Sequence, residues 1–126
     1  MSNREQHRIL CVTPFAAHHE TLQSVLRSAK YRIASSMTVD QAIAFCISNR
    51  VAAIVLDSAF LTEQDWSAIQ TFKSICSGIP ILVLADNHDE KIPQEVDAVA
   101  KSAELILKKL QQLVDRHPPR SKSQGA

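Results

Sequence analysis

Two charged residues close apolar runs at places where a sheet would present them to solvent. Residues 51–58 read V-A-A-I-V-L-D-S, and the run ends abruptly in the carboxylate of Asp57. Residues 96–101 read V-D-A-V-A-K and end in Lys101. A continuous apolar stretch rich in β-branched residues fits a strand buried on both faces of a parallel sheet. Ligands and chemistry gather at the carboxyl ends of such strands, so Asp57 reads as a reactive carboxylate carried on a scaffold. Lys101 beside it would keep a partly buried charge paired.

Alternating strands and helices must position these two groups. Residues 8–13, R-I-L-C-V-T, form a first strand. Thr13 followed by Pro14 predicts a helix start, with a hydroxyl at the N-cap and proline in the first helical position. Phe15, Leu22, Val25, Leu26 and Ala29 then recur at helical spacing to Lys30. Residues 31–37 alternate weakly and carry polar groups, which suits an edge strand. Thr38 and Gln41 form a capping box for a helix whose stripe is Val39, Ala42, Ile43, Cys46 and Ile47.

After Asp57 the chain turns, and Thr62 caps a third helix with Glu63 and Asp65 in its first turn, where the helix dipole favours acid. Gly78 ends that helix. Residues 80–85, P-I-L-V-L-A, are a fourth strand, with proline first, where a missing N–H is tolerated. Residues 86–95 are polar and broken by Pro93; two loops, a helix and a strand must fit before Lys101. The fourth helix is therefore expected to be shortened or irregular, at most one or two turns, against about ten residues for an ordinary helix. Ser102 caps a final helix with Ala103, Ile106, Leu107, Leu110, Leu113 and Val114 on one face.

Five strand–helix alternations imply a parallel sheet with right-handed crossovers and helices on both faces. The edge character of the second strand favours the flavodoxin-like order 2-1-3-4-5, a three-layer α/β/α sandwich. In that order the carboxyl ends carrying Thr13, Asp57 and Lys101 meet at the switch point. The expected organisation is a single domain over residues 8–117, with a disordered N-terminus at 1–7 and a disordered tail or linker at 118–126 that begins with Pro118 and Pro119.

Composition excludes several classes. The net charge of +1, spread along 126 residues, offers no basic field for nucleic acid. The two glycines, Gly78 and Gly125, cannot build a glycine-rich phosphate loop. No apolar run approaches membrane-spanning length, and the scattered Cys11, Cys46 and Cys76 suit a reducing compartment, so the expected location is the cytoplasm. Cys11 on a buried strand should be inert. His18 and His19 are adjacent on the first helix and cannot form an i, i+4 metal pair, so both read as packing residues. Trp66 reads as core.

The order strand–Asp, strand–Ala, strand–Lys resembles the response-regulator receiver domain of two-component signalling. The resemblance spans residues 8–114 and rests mostly on A-A-I-V-L-D and D-A-V-A-K-S. It implies that Asp57 is the phosphoacceptor candidate for a histidine kinase and that Lys101 contacts the phosphoryl oxygens. It also implies an acidic pair after the first strand that holds Mg²⁺, and a hydroxyl after the fourth.

At those positions this chain departs from the pattern: Thr13 and Pro14 replace the acidic pair, Ala85 the hydroxyl, and Asp86 and Ser102 stand where small and proline residues are usual. Protein Mg²⁺ sites depend on carboxylates, and phosphoryl transfer is mostly electrostatic positioning. The expectation is a degenerate, pseudo-receiver module in a phosphorelay pathway. It would be non-catalytic and free of cofactor, and would work through a protein partner such as a histidine kinase, an output domain or another signalling protein. It would have no direct contact with nucleic acid or membrane. In this form Asp57 is retained by pairing with Lys101. The alternative is a working phosphoacceptor at Asp57 that uses Mg²⁺, with Asp86 or Glu20 as weak ligands. A small-molecule binder in the vacated cleft is a third reading. The oligomeric state is left open.

Overall fold

The computed structural model of the chain describes residues 7–75, 78–85, 92 and 96–116. The chain alternates β1 (Arg8–Val12), α1 (Ala16–Ser28), β2 (Arg32–Ser36), α2 (Val39–Ser48) and β3 (Ala53–Asp57). A 3-10 turn (Ser58–Phe60), α3 (Glu63–Ile75), β4 (Ile81–Leu84), β5 (Ala98–Ala100) and α4 (Ala103–Arg116) follow. The five strands are all parallel, in the order β2-β1-β3-β4-β5, which is the flavodoxin-like arrangement expected from the pattern. The expected short helix between Ala85 and Lys101 falls largely outside the described residues, as do Cys76, Asp86 and the tail from residue 117. His7, placed by the sequence pattern in a disordered lead, is already tied in: its carbonyl accepts the Arg32 N–H at 3.1 Å.

Strand residues alternate between faces, and here the alternation sorts the core into two halves. Leu10, Val12, Ile54, Leu56, Ile81 and Val83 pack with Val39 and Ala42 of α2 and with Trp66, Ile69 and Phe72 of α3. Ile9, Cys11, Ala53, Val55 and Leu82 pack with Leu22 and Leu26 of α1 and Ile106, Leu110 and Val114 of α4. Both faces of β3 are buried along its whole length, as its continuous apolar run requires. β2 is paired to β1 alone and is the least buried of the long strands, so its polar residues lie on an edge. Trp66 is core.

Local chemistry sets the helix ends. Thr38 Oγ1 accepts the Gln41 N–H at 3.1 Å at the start of α2. Thr62 Oγ1 accepts the Asp65 N–H while Asp65 Oδ2 accepts the Thr62 N–H, at 3.2 and 2.9 Å. Ser102 Oγ accepts the Leu105 N–H at 3.2 Å. α1 corrects the sequence expectation: it starts at Ala16, its N-cap is Phe15, and no side chain caps it. Thr13 and Pro14 lie before it: the Thr13 hydroxyl is buried at the sheet end, where it donates to Asp57 and accepts the N–H of Phe15 rather than one inside the helix. Among the described residues, no helix is long and apolar enough to cross a membrane.

Candidate functional site at the carboxyl end of the central strand

The parity of β3 decides where Asp57 points. Ala53 and Val55 face α1 and α4, and Asp57, two residues on, continues that side. Thr13 follows Ile9 and Cys11 with the same parity just past β1, held there by its N–H on the Ser36 carbonyl at 3.0 Å. Two side chains at neighbouring strand ends are thus aimed at the space above the start of α1, and the first turn of α1 supplies the third.

Asp57 is 2 % exposed. Its Oδ1 accepts the Ala59 N–H at 3.0 Å, which caps the 3-10 turn. Its Oδ2 accepts the Thr13 hydroxyl at 2.9 Å and is paired with His18 Nδ1 at 2.5 Å. Thr13 Oγ1 in turn accepts the Phe15 N–H at 3.1 Å, so the hydroxyl relays between the carboxylate and the turn into α1. An unpaired buried carboxylate would cost several kcal/mol; three donors from three segments satisfy this one. The His18 side chain is 42 % exposed where that of Asp57 is 3 %. The His18 ring meets Phe15 edge-on, with centroids 5.3 Å apart and an interplanar angle of 66°.

His18 is the site residue that the sequence analysis missed, since it was assigned to packing. The i, i+4 test excludes a metal pair within one helix but says nothing of a strand-end partner. The signal that could have found it was parity: Asp57 faces α1, and His18 lies in the first turn of α1. Lys101, expected as the partner of Asp57, is exposed, lies one residue past β5, and makes no hydrogen bond or ion pair among the described residues. The salt bridge expected between them is therefore replaced by the His18–Asp57 pair. Backbone geometry accounts for the exchange: His18 is on the helix that covers the Asp57 face, whereas Lys101 turns out to solvent.

Of the remaining positions, Ala85 and Ser102 make local bonds of the fold. Ala85 is buried, and its N–H donates to the Ala100 carbonyl at 2.9 Å. Ser102 caps α4, and Pro14 and Glu20 are exposed. Asp86 lies outside the described residues. Cys11 is fully buried, and burial pushes its thiol up to about 12, in keeping with an inert side chain. His19 is half-buried on α1.

The donor set that the described residues place around Asp57 does not fit Mg²⁺. The ion prefers oxygen ligands, usually one or two carboxylates with several waters. Thr13 and Pro14 add no carboxylate, and Oδ2 is already engaged by Thr13 and His18. Among the described residues no group of three or more His, Cys, Asp and Glu could hold a metal ion.

No family model and no curated protein matches the sequence. Solved structures do. A chemotaxis response regulator of Vibrio cholerae, CheY4, is similar at 21% identity with a TM-score of 0.68, covering 86% of this chain and 98% of that one. A two-component response regulator from Clostridium difficile aligns at 18% identity with a TM-score of 0.75, over 88% of this chain and 98% of the other. The signal receiver domain of a histidine kinase from Syntrophus aciditrophicus aligns at 16% identity with a TM-score of 0.76, over 93% and 96%. At these identities the likeness is one of fold, and the chain has the fold of the response-regulator receiver domains.

Proposed function

We propose that the chain is a receiver-like signalling module in a two-component phosphorelay. It acts in the cytoplasm by binding a protein partner, and Mg²⁺-dependent phosphorylation of Asp57 is impaired or absent. The observation that carries this is the saturation of Asp57 Oδ2 by Thr13 and His18, at a strand end whose neighbours, Thr13 and Pro14, bring no carboxylate. With Oδ2 engaged, the free lone pair is on Oδ1, which already accepts the Ala59 N–H, and neither Thr13 nor Pro14 offers a carboxylate to hold a metal countercharge for the incoming phosphoryl oxygens. The partner is a histidine kinase, an output domain or another signalling protein, and the module has no catalytic activity of its own.

One observation favours the alternative of a working phosphoacceptor. Lys101 is exposed and uncommitted among the described residues, so an ammonium at the same end of the sheet is available to a phosphoryl group. Titration with beryllofluoride and Mg²⁺, followed by amide NMR, separates the two. Silence is expected; shifts centred on Asp57 and Lys101 would overturn the non-phosphorylated module in favour of the alternative.

A further inference from the structure

We infer that His18 is a latch on Asp57: its ring closes the route from solvent to the carboxylate, and its Nδ1–H holds Oδ2. This rests on Asp57 being a carboxylate withheld from phosphoryl chemistry, and it names the residue that withholds it.

The three groups bonded to Asp57 differ in their freedom to leave. The Ala59 N–H is backbone. The Thr13 side chain belongs to a residue only 4 % exposed and is fixed at both ends, donating to Asp57 and accepting from Phe15. The His18 side chain is 42 % exposed on the first turn of α1, so a change of rotamer carries it into solvent without unpacking the core. Ala59 is an exposed residue but reaches the carboxylate through its backbone N–H, so His18 is the one exposed side chain of the three and its ring forms an outer wall of the carboxylate. The edge-on contact with Phe15, itself 41 % exposed, steadies the closed position.

The chemistry of the pair fixes the tautomer. An ionised carboxylate only accepts hydrogen bonds, so Nδ1 is the donor, and in the neutral ring Nε2 is left as the acceptor facing outward. The imidazolium also carries a proton on Nδ1, so the latch is closed in either state of the ring. Opening it requires a molecule or partner that takes the ring or displaces Phe15.

The test compares the whole chain with its His18→Ala and His18→Asn variants. Each is treated with a water-soluble carbodiimide and a small amine, and each carboxyl is quantified by mass spectrometry against the Asp40 carboxyl as an internal reference. Asp57 of the native chain should be protected. In His18→Ala its labelling should rise by about tenfold to a hundredfold, the range expected for removal of one hydrogen bond to a charged group. Asn places an amide N–H close to where Nδ1 stood, so His18→Asn should stay within about threefold of the native rate. Equal labelling in the native chain and His18→Ala overturns the latch, as does an Asn variant as reactive as the Ala variant. A measurement without any variant adds a second route to refutation: long-range ¹H–¹⁵N NMR of the native chain should show the proton on Nδ1 of His18, and a neutral ring protonated on Nε2 alone would overturn the proposal. Neither readout involves a phosphoryl group. Phosphorylation of the native chain would therefore refute the proposed function, whereas the latch stands or falls on labelling and tautomer.

Discussion

Replacing Thr13 with Val tests whether the Asp57 cluster is held together as its distances indicate. Val keeps the shape of Thr and removes only the hydroxyl, which donates to Asp57 Oδ2 at 2.9 Å between two residues 4 % and 2 % exposed. A hydrogen bond to a charged group contributes about 1.5–3 kcal/mol. The methyl that replaces the hydroxyl regains about 0.8 kcal/mol through burial, and the Phe15 N–H that loses its acceptor lies near an exposed residue where water can replace it. The net expectation is a loss of about 1–2 kcal/mol. With a urea m-value of about 1–3 kcal/mol/M, the midpoint should fall by roughly 0.3–2 M with m unchanged. The same substitution made in an Asp57→Ala background removes a hydroxyl that no longer has a carboxylate to serve, and should cost nearly nothing. The difference is the coupling energy of the pair. Equal costs in the two backgrounds, within about 0.5 kcal/mol, would show that the hydroxyl and the carboxylate are merely neighbours and would refute the reasoning.

Other perturbations separate the core, the sheet ends and the thiol. Leu56→Ala in β3, fully buried against α2 and α3, should lose about 2–5 kcal/mol by urea unfolding. Asp97 Oδ2 accepts both the Ile81 N–H and the Lys73 ammonium, each at 2.7 Å. Asp97→Ala should cost about 1–3 kcal/mol because it strands an N–H at the start of buried β4, whereas Lys73→Ala should cost less than about 1 kcal/mol, since that pair is only part-buried. Similar costs for the two would refute the assignment. For Cys11, burial raises the thiol from 9.0 to about 12. The folded chain then holds a proton that the unfolded chain has lost, so stability should be insensitive to this group below pH 9. It should fall by about 1.4 kcal/mol per pH unit above that, and Cys11→Ala should remove this slope. At neutral pH a thiol reagent should reach Cys11 only through unfolding, in contrast to the partly exposed Cys46.

Much of the architecture was legible because strand and helix periods differ and the apolar runs are short and bounded. V-A-A-I-V-L-D and P-I-L-V-L-A could only be strands covered on both sides, and the polar character of residues 31–37 placed β2 at an edge. The caps at Thr38, Thr62 and Ser102 were readable because each is a local hydroxyl-to-amide bond within three residues. Thr13 was misread for the same reason: it has the local pattern of an N-cap, but its hydroxyl accepts the Phe15 N–H ahead of the helix while donating to Asp57, and local spacing cannot report that long-range partner. The choice of His18 over Lys101 was likewise invisible to a pattern that joins strand ends by position. It depends on which helix lies over which face, and that is fixed only once the sheet order and the parity of β3 are combined.

On the proposed function, the consequence for signalling follows from where the three groups bonded to Asp57 come from. Thr13 follows β1, His18 lies in the first turn of α1, and Ala59 lies in the turn after β3, so one carboxylate pins three segments at the carboxyl end of the sheet. A receiver that switches needs the opposite: a carboxylate free to be modified and a neighbouring hydroxyl free to follow it. Here the position after β4 is Ala85, which has no hydroxyl to move, while the hydroxyl that is present, on Thr13, already serves the unmodified carboxylate. Modification of Asp57 would have to break the His18 and Thr13 bonds together and would gain no relay from β4. The same chemistry makes the site, on the proposed function, a poor switch and a good clamp. On the proposed function, it is this fixed sheet end, with Phe15 and His18 half exposed on it, that a partner would meet.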